Sequence, residues 1–179
     1  QKESHAIALF PGGFGTHDEG FEIMTLVQTG KSDPKPIVCL QAPGCDYWDH
    51  WNSFITDQLL KRRLINAEDL SLFTIVDNVE DAVTEIRTFY RRYHSLRFVG
   101  RQLAIRLKTP LSAAQVEEVQ QQFSDMLTEG TFEQRPSLPE EIDEPGLKDL
   151  ARLTFSFNRR NAGRLRQLIN HLNQLPSTA

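Results

Sequence analysis

The chain has 179 residues, 39% of them hydrophobic and 25% charged, with a formal net charge of −4. That is ordinary globular usage, which excludes a chain disordered throughout and gives no general attraction to nucleic acid or to an anionic membrane. No apolar run reaches the roughly 18 residues of a bilayer span. Two cysteines, Cys39 and Cys45, are too few for a disulfide scaffold. A Cys₂His₂ zinc site would need a His-x₃₋₅-His pair that is absent, so no metal is expected. A cytoplasmic protein without membrane or nucleic-acid partners is the expectation.

The chain opens at Gln1, not at an initiator methionine, and its first apolar run, residues 6–10, stops at Pro11-Gly12-Gly13. This run reads as a buried strand. A lone strand cannot satisfy its own backbone, so the chain is expected to be the C-terminal part of a longer protein, with residues 6–10 bordering strands that precede Gln1. A helix is predicted over 18–28, a strand over 36–40, a helix over 49–63 and a strand over 70–76. The next helix, 79–93, would be capped by Asn78 and carry Val79, Val83, Ile86, Phe89, Tyr90 and Tyr93 on its apolar face. Strands alternating with helices of this length predict right-handed βαβ units and a parallel sheet.

After Tyr93 the rhythm changes. Residues 97–108 alternate apolar and basic side chains, as a half-buried strand would. Ser112-x-x-Gln115 is a capping box opening a helix that buries Val116, Val119, Phe123 and Met126. A short strand over 130–133, an acidic proline-bearing linker over 136–145, a strand over 150–157 and a helix with Leu165, Leu168, Ile169 and Leu172 inward complete a small α+β appendage. The division is therefore residues 1–94, half of a Rossmann-like nucleotide-binding domain with a doubly wound parallel sheet, and 95–179, the appendage. Charge in the appendage is segregated: no acid lies between Ile86 and Val116, whereas residues 117–149 hold ten acids against Arg135 and Lys148. Either these are two faces that complement each other, within the fold or across a dimer, or the first is a basic surface for phosphate-bearing ligands.

Chemistry is concentrated in Pro11-Gly12-Gly13-Phe14-Gly15-Thr16-His17-Asp18-Glu19, between a strand and a helix. There a parallel sheet presents its ligand crevice. Glycines admit close approach of a ligand to the backbone, and the first amides of a helix suit an anion. No lysine precedes Thr16 and the spacing is not G-x-G-x-x-G, so the residues support phosphate binding without the machinery of a P-loop ATPase. Two structural readings compete: Thr16-x-x-Glu19 is also a capping box, and the glycines also suit a tight strand-to-helix turn.

The same nine residues resemble the PGGxGTxxE signature of the LONELY GUY (LOG) family, formerly labelled possible lysine decarboxylases. Residues 21–31, residues 36–40, Tyr47-Trp48 and Trp51 are also similar, so the resemblance covers about residues 5–93. It implies a Rossmann-like fold and a homodimer or higher homo-oligomer without a cofactor. It also implies hydrolysis of the N-glycosidic bond of nucleoside 5′-monophosphates, cytokinin ribotides among them, to free base and ribose 5-phosphate. The family's roles fall on Gly12, Gly13, Phe14, Gly15 and Thr16 as phosphate and nucleotide binders and on Glu19 as the catalytic carboxylate. The alternative is a nucleotide or phosphorylated-cofactor carrier without catalysis. A lysine decarboxylase is not expected, because Lys31 sits beside Gly30 at a helix end. Two departures stand out: nothing here matches the family's arginine, which lies upstream of this strand, and Gly20 replaces a larger apolar residue, which would loosen the helix start. Among the remaining candidates, His17 reads as an exposed loop residue, Cys39 as core, Cys45 as a loop thiol, and Trp48 and Trp51 as packing or dimer contacts. Trp51, Phe89 and Tyr90 are expected to leave apolar surface for a second copy.

Overall fold

A computed structural model describes residues 4–176. It falls into two units: the chain up to Phe89 together with Arg160–Gln167, and Tyr90–Arg159 together with the residues from Leu168 onward.

In the first unit, β1 (Ile7–Leu9), β2 (Ile37–Leu40) and β3 (Thr74–Val76) form a parallel sheet in the order β1-β2-β3. The register pairs Ile7 with Ile37, Leu9 with Cys39 and Cys39 with Ile75. Parallel neighbours need a crossover, and the connections are α1 (Phe14–Gln28) and α2 (Tyr47–Phe54), the latter widening into a π-helical turn over Ile55–Leu60. The central strand is apolar at every position because both of its faces are covered. Ile37 and Cys39 join Leu9, Ile23, Val27, Trp48, Trp51 and Ile55 on the side of α1 and α2. Val38 and Leu40 pack with Ala82 and Ile86 of α3 (Val79–Phe89) on the other. The predicted parallel α/β organisation is present, with helices on both faces of the sheet, and is compatible with a Rossmann-like fold.

Several boundaries differ from expectation. Residues 67–72 form a 3₁₀ turn, not the start of the third strand. The carboxylate of Asp69 accepts the Asn66 amide at 2.9 Å and Gln28 Nε2 at 2.7 Å, and these bonds favour the turn over an extended chain. Helix α3 stops at Phe89, leaving Tyr93 to a strand. Asn78 caps it as predicted, accepting the Asp81 amide at 2.8 Å. Its buried face is turned, however: Ala82 and Phe89 are inside, while Val79 and Val83 are 60% and 46% exposed. On the inner side Arg166 lies 4.5 Å over the Phe89 ring and donates to Glu85 Oε1 and to the Lys35 carbonyl. Trp51 and Phe89, expected to leave apolar surface for a second copy, are buried in this unit's own core.

The second unit is an antiparallel sheet in the order β4-β5-β7-β6. The single strand expected over 97–108 is a hairpin: β4 (Tyr93–Val99) and β5 (Gln102–Leu107) turn at Gly100, whose φ is +59°. Helix α4 (Ala113–Phe123) opens with the predicted capping box and buries Val119 and Phe123. β6 is Glu133–Arg135 and β7 Ala151–Phe155, and the part of α5 (Ala162–Gln174) from Leu168 onward buries Leu168, Ile169 and Leu172, while Leu165 is buried in the part that belongs to the first unit.

The acidic stretch is no plain linker. Arg106 and Arg152 sit opposite each other in register on β5 and β7, a like-charge pair that destabilises a sheet unless compensated. Glu141 compensates it, accepting Arg106 Nε at 2.8 Å and Arg152 Nε at 2.9 Å, with all three side chains buried. Arg97 bonds Asp143 and Glu144, each at 2.7 Å. The segregated charges therefore complement each other within the fold. No helix among the described residues is long and apolar enough to cross a membrane.

Candidate functional site

The loops leaving β1, β2 and β3 meet at the carboxyl ends of the parallel strands, where a sheet of this type exposes backbone amides and helix starts. Pro11 confines Phe10 to extended backbone, so the chain leaves β1 straight and then turns at Gly12. Helix α1 begins at Phe14, one turn earlier than predicted, with Gly13 as its N-cap. Thr16 is therefore the third residue of the helix, its amide already bonded to the Gly13 carbonyl at 3.1 Å. The capping box expected of Thr16 and Glu19 does not open this helix. Gly13 has no side chain to cap with, and no acid stands in the first turn. An α-helix offers no internal acceptor to the amides of Phe14 and Gly15.

The glycines divide by cause. A Cβ on Gly12 would lie 2.2 Å from Thr16 Oγ1, so only glycine lets that hydroxyl fold over the turn. A Cβ on Gly13 or Gly15 would meet nothing within 4 Å, and neither residue has a positive φ. A tight turn thus accounts for Gly12 but not for Gly13 or Gly15, beside which the backbone is open to close approach. Gly20 has a different task. It is buried, and a Cβ there would come 3.1 Å from Leu9 Cδ1, so the missing side chain brings α1 close to β1 and does not loosen the helix.

Glu19 is exposed on α1, five residues beyond Phe14, or about 7–8 Å along the axis. Glu22, also exposed, follows nearly a turn later. His17 departs from its expectation as a loop residue: it is half-buried in the helix and its Nε2 lies 2.8 Å from the Tyr47 hydroxyl. Tyr47, the first residue of α2, donates that hydroxyl to the Gly12 carbonyl at 2.5 Å. The two rings stack at 5.8 Å, and Trp48 meets both edge-on. Trp48 and Trp51 are packing residues, buried in the core.

Behind the loops stands Gln41, buried at the end of β2. Its Oε1 accepts the Trp48 amide at 2.8 Å, and its Nε2 donates to Asp49 and Asp77 at 2.8 and 3.1 Å. One amide side chain thereby ties the second loop to the third. Phe10, Pro11, Leu40–Pro43, Cys45 and residues 77–80 enclose a largely apolar cleft of about 550 Å³ beside it. Cys45 is a half-buried wall of this cleft; Cys39, as predicted, is core, and burial pushes its thiol up to about 12. Among the described residues no three His, Cys, Asp or Glu side chains are arranged to hold a metal.

Residues 1–86 match the family model described as "possible lysine decarboxylase". This part of the chain belongs to that family. No curated protein matches the chain significantly. Within the matched segment the nine residues divide between the turn after β1, Pro11–Gly13, and the start of α1, Phe14–Glu19, and Lys31, past the left-handed Gly30 at the far end of α1, is exposed and remote from the glycine loop. Tyr47 and Gln41 were not singled out from sequence as site residues. Tyr47 stood there only as part of the LOG-like Tyr-Trp pair, and a glutamine ending an apolar strand carries no signal of its hydrogen-bonding role.

Proposed function

We propose that this protein is a nucleoside 5′-monophosphate phosphoribohydrolase of the LOG family. The observation that carries the reading is the open space beside Gly13 and Gly15 at the uncapped start of α1, within a family-matched segment. A phosphate there would be held by the amides of Gly13, Phe14 and Gly15 and by the Thr16 hydroxyl, at the positive end of the helix. Gly12 keeps the turn tight enough for Thr16 to reach it. The ribose then faces α1, on which Glu19 lies.

Hydrolysis adds water across the C1′–N bond: the hydroxyl goes to C1′, the proton to the departing base, and the products are free base and ribose 5-phosphate. The transition state is oxocarbenium-like, and a fixed carboxylate stabilises its positive charge and orients the attacking water. Glu19 is assigned that role. The experiment is incubation of the full-length protein with a panel of nucleoside monophosphates, cytokinin ribotides included, and chromatography of the products. Stoichiometric free base and ribose 5-phosphate support the reading. Saturable binding without base release would favour a nucleotide carrier, and absence of both would remove the proposal.

A further inference from the structure

The hydroxyl of Tyr47 lies within hydrogen-bond distance of two groups, the Gly12 carbonyl at 2.5 Å and His17 Nε2 at 2.8 Å. A phenol has one proton to give, and a carbonyl can only accept. The Tyr47 proton therefore goes to Gly12, and His17 carries a proton on Nε2 and donates it to Tyr47. The result is a directed chain, His17 Nε2–H to Tyr47 Oη–H to Gly12 O, running from α1 through α2 to the glycine loop.

We infer that Tyr47, held by His17, is a positioning residue that aims the Gly13 amide at a bound phosphate. The described residues contain no cis peptide, so the Gly12–Gly13 bond is trans, and in a planar trans peptide the C=O and the next N–H point in opposite directions. Pinning the Gly12 oxygen toward α2 turns the Gly13 N–H away from α2. Two successive glycines without Cβ contacts at Gly13 would otherwise let this peptide plane rotate cheaply. Thr16 packs against Gly12 at a distance that tolerates no Cβ, which further crowds the turn. The tyrosine ring is fixed in turn by stacking on His17 and by its edge contact with Trp48, 4.9 Å between centroids, on a helix anchored in the core. The loop is thus set before any ligand arrives, which lowers the ordering cost of binding.

The inference rests on the reading of the glycine loop as a phosphate site, and the test separates the two. Tyr47→Phe keeps the ring and its stacking and removes only the hydroxyl. Affinities of wild type and variant are measured by calorimetry for inorganic phosphate, a nucleoside monophosphate and the matching nucleoside, beside a thermal melt. Loss of one neutral hydrogen bond from a preorganised loop should weaken phosphate and nucleotide roughly 3- to 10-fold. The nucleoside, having no phosphate, should bind as before, and in the free protein the Gly13 amide NMR resonance should shift and broaden. In turnover, KM should rise more than kcat falls. Equal weakening of nucleotide and nucleoside would make Tyr47 a general structural strut and overturn the inference, as would unchanged nucleotide affinity in the variant. If the wild type takes up neither phosphate nor nucleotide, the functional reading fails and the inference falls with it.

Discussion

Replacing Glu141 with glutamine should destabilise the second unit by an amount that depends on pH. Burial alone would raise this carboxyl, but hydrogen bonds from Arg152, the Leu138 amide and Arg106 outweigh it and bring the group from 4.5 down to about 2. A displacement of that size corresponds to about 3 kcal/mol, less what water on the outer side of residues 136–150 screens away. Glutamine keeps the shape but turns donor hydrogens toward two buried guanidiniums, of which Arg152 is wholly inaccessible. At pH 7 the melting midpoint should fall by roughly 6–10 °C, taking about 2–4 °C per kcal/mol for a chain of this length. Because the folded-state value is depressed, the contribution of the carboxylate is fully present above about 4.5 and fades as pH falls toward 2. Wild type and variant should therefore converge on acidification, while the exposed Glu140→Gln control follows wild type throughout. The assay is a series of thermal melts from pH 7 to pH 2.5. A variant as stable as wild type at pH 7, or a gap that persists unchanged at pH 3, would refute the assignment of Glu141 as the charge that holds this sheet face.

Two glycines separate a hard steric limit from a soft one. At Gly163 a Cβ would lie 2.4 Å from the Glu68 carbonyl oxygen, which is backbone and cannot yield cheaply, so Gly163→Ala should cost about 2–3 kcal/mol or more in a melt. At Gly20 the obstacle is the Leu9 methyl at 3.1 Å, and alanine gains helix propensity, so Gly20→Ala should stay within about 1 kcal/mol of wild type. For the cysteines, titration with a thiol reagent at pH 8 should label Cys45 in the native protein and spare Cys39, whose thiol burial holds at about 12 until the chain unfolds.

The parallel sheet was legible because β2 reads apolar at four successive positions and is followed by a periodic helix, a combination that only a doubly covered strand requires. Local caps at Asn78 and Ser112 were equally legible, since each is decided within three residues. What escaped is long-range. The buried side of α3 meets Arg166, 81 positions from its partner Glu85. The role of residues 136–150 depends on Arg106, 35 positions before Glu141. At the site, the nine-residue motif marked the loop, but the position of the helix start could not be read from it. Thr16 and Glu19 have the spacing of a capping box, and yet Gly12 and Gly13 let the helix begin a turn earlier. The link from Tyr47 to Gly12 joins positions 35 apart and has no local signature.

The central claim is that Glu19 performs chemistry and does not merely cap or solvate a helix, and Glu19→Gln tests it most directly. Glutamine keeps the size and the hydrogen-bonding acceptor of the side chain but removes its negative charge. Base release from a nucleoside monophosphate, followed with nucleotide affinity and a thermal melt on the same preparations, separates the possibilities. Turnover should fall by about 10²-fold or more, comparable to losing one preorganised electrostatic group. Nucleotide affinity should change little, and the melt should move by no more than the roughly 1 kcal/mol that an exposed helical side chain commands. Wild-type turnover surviving in Glu19→Gln would contradict it.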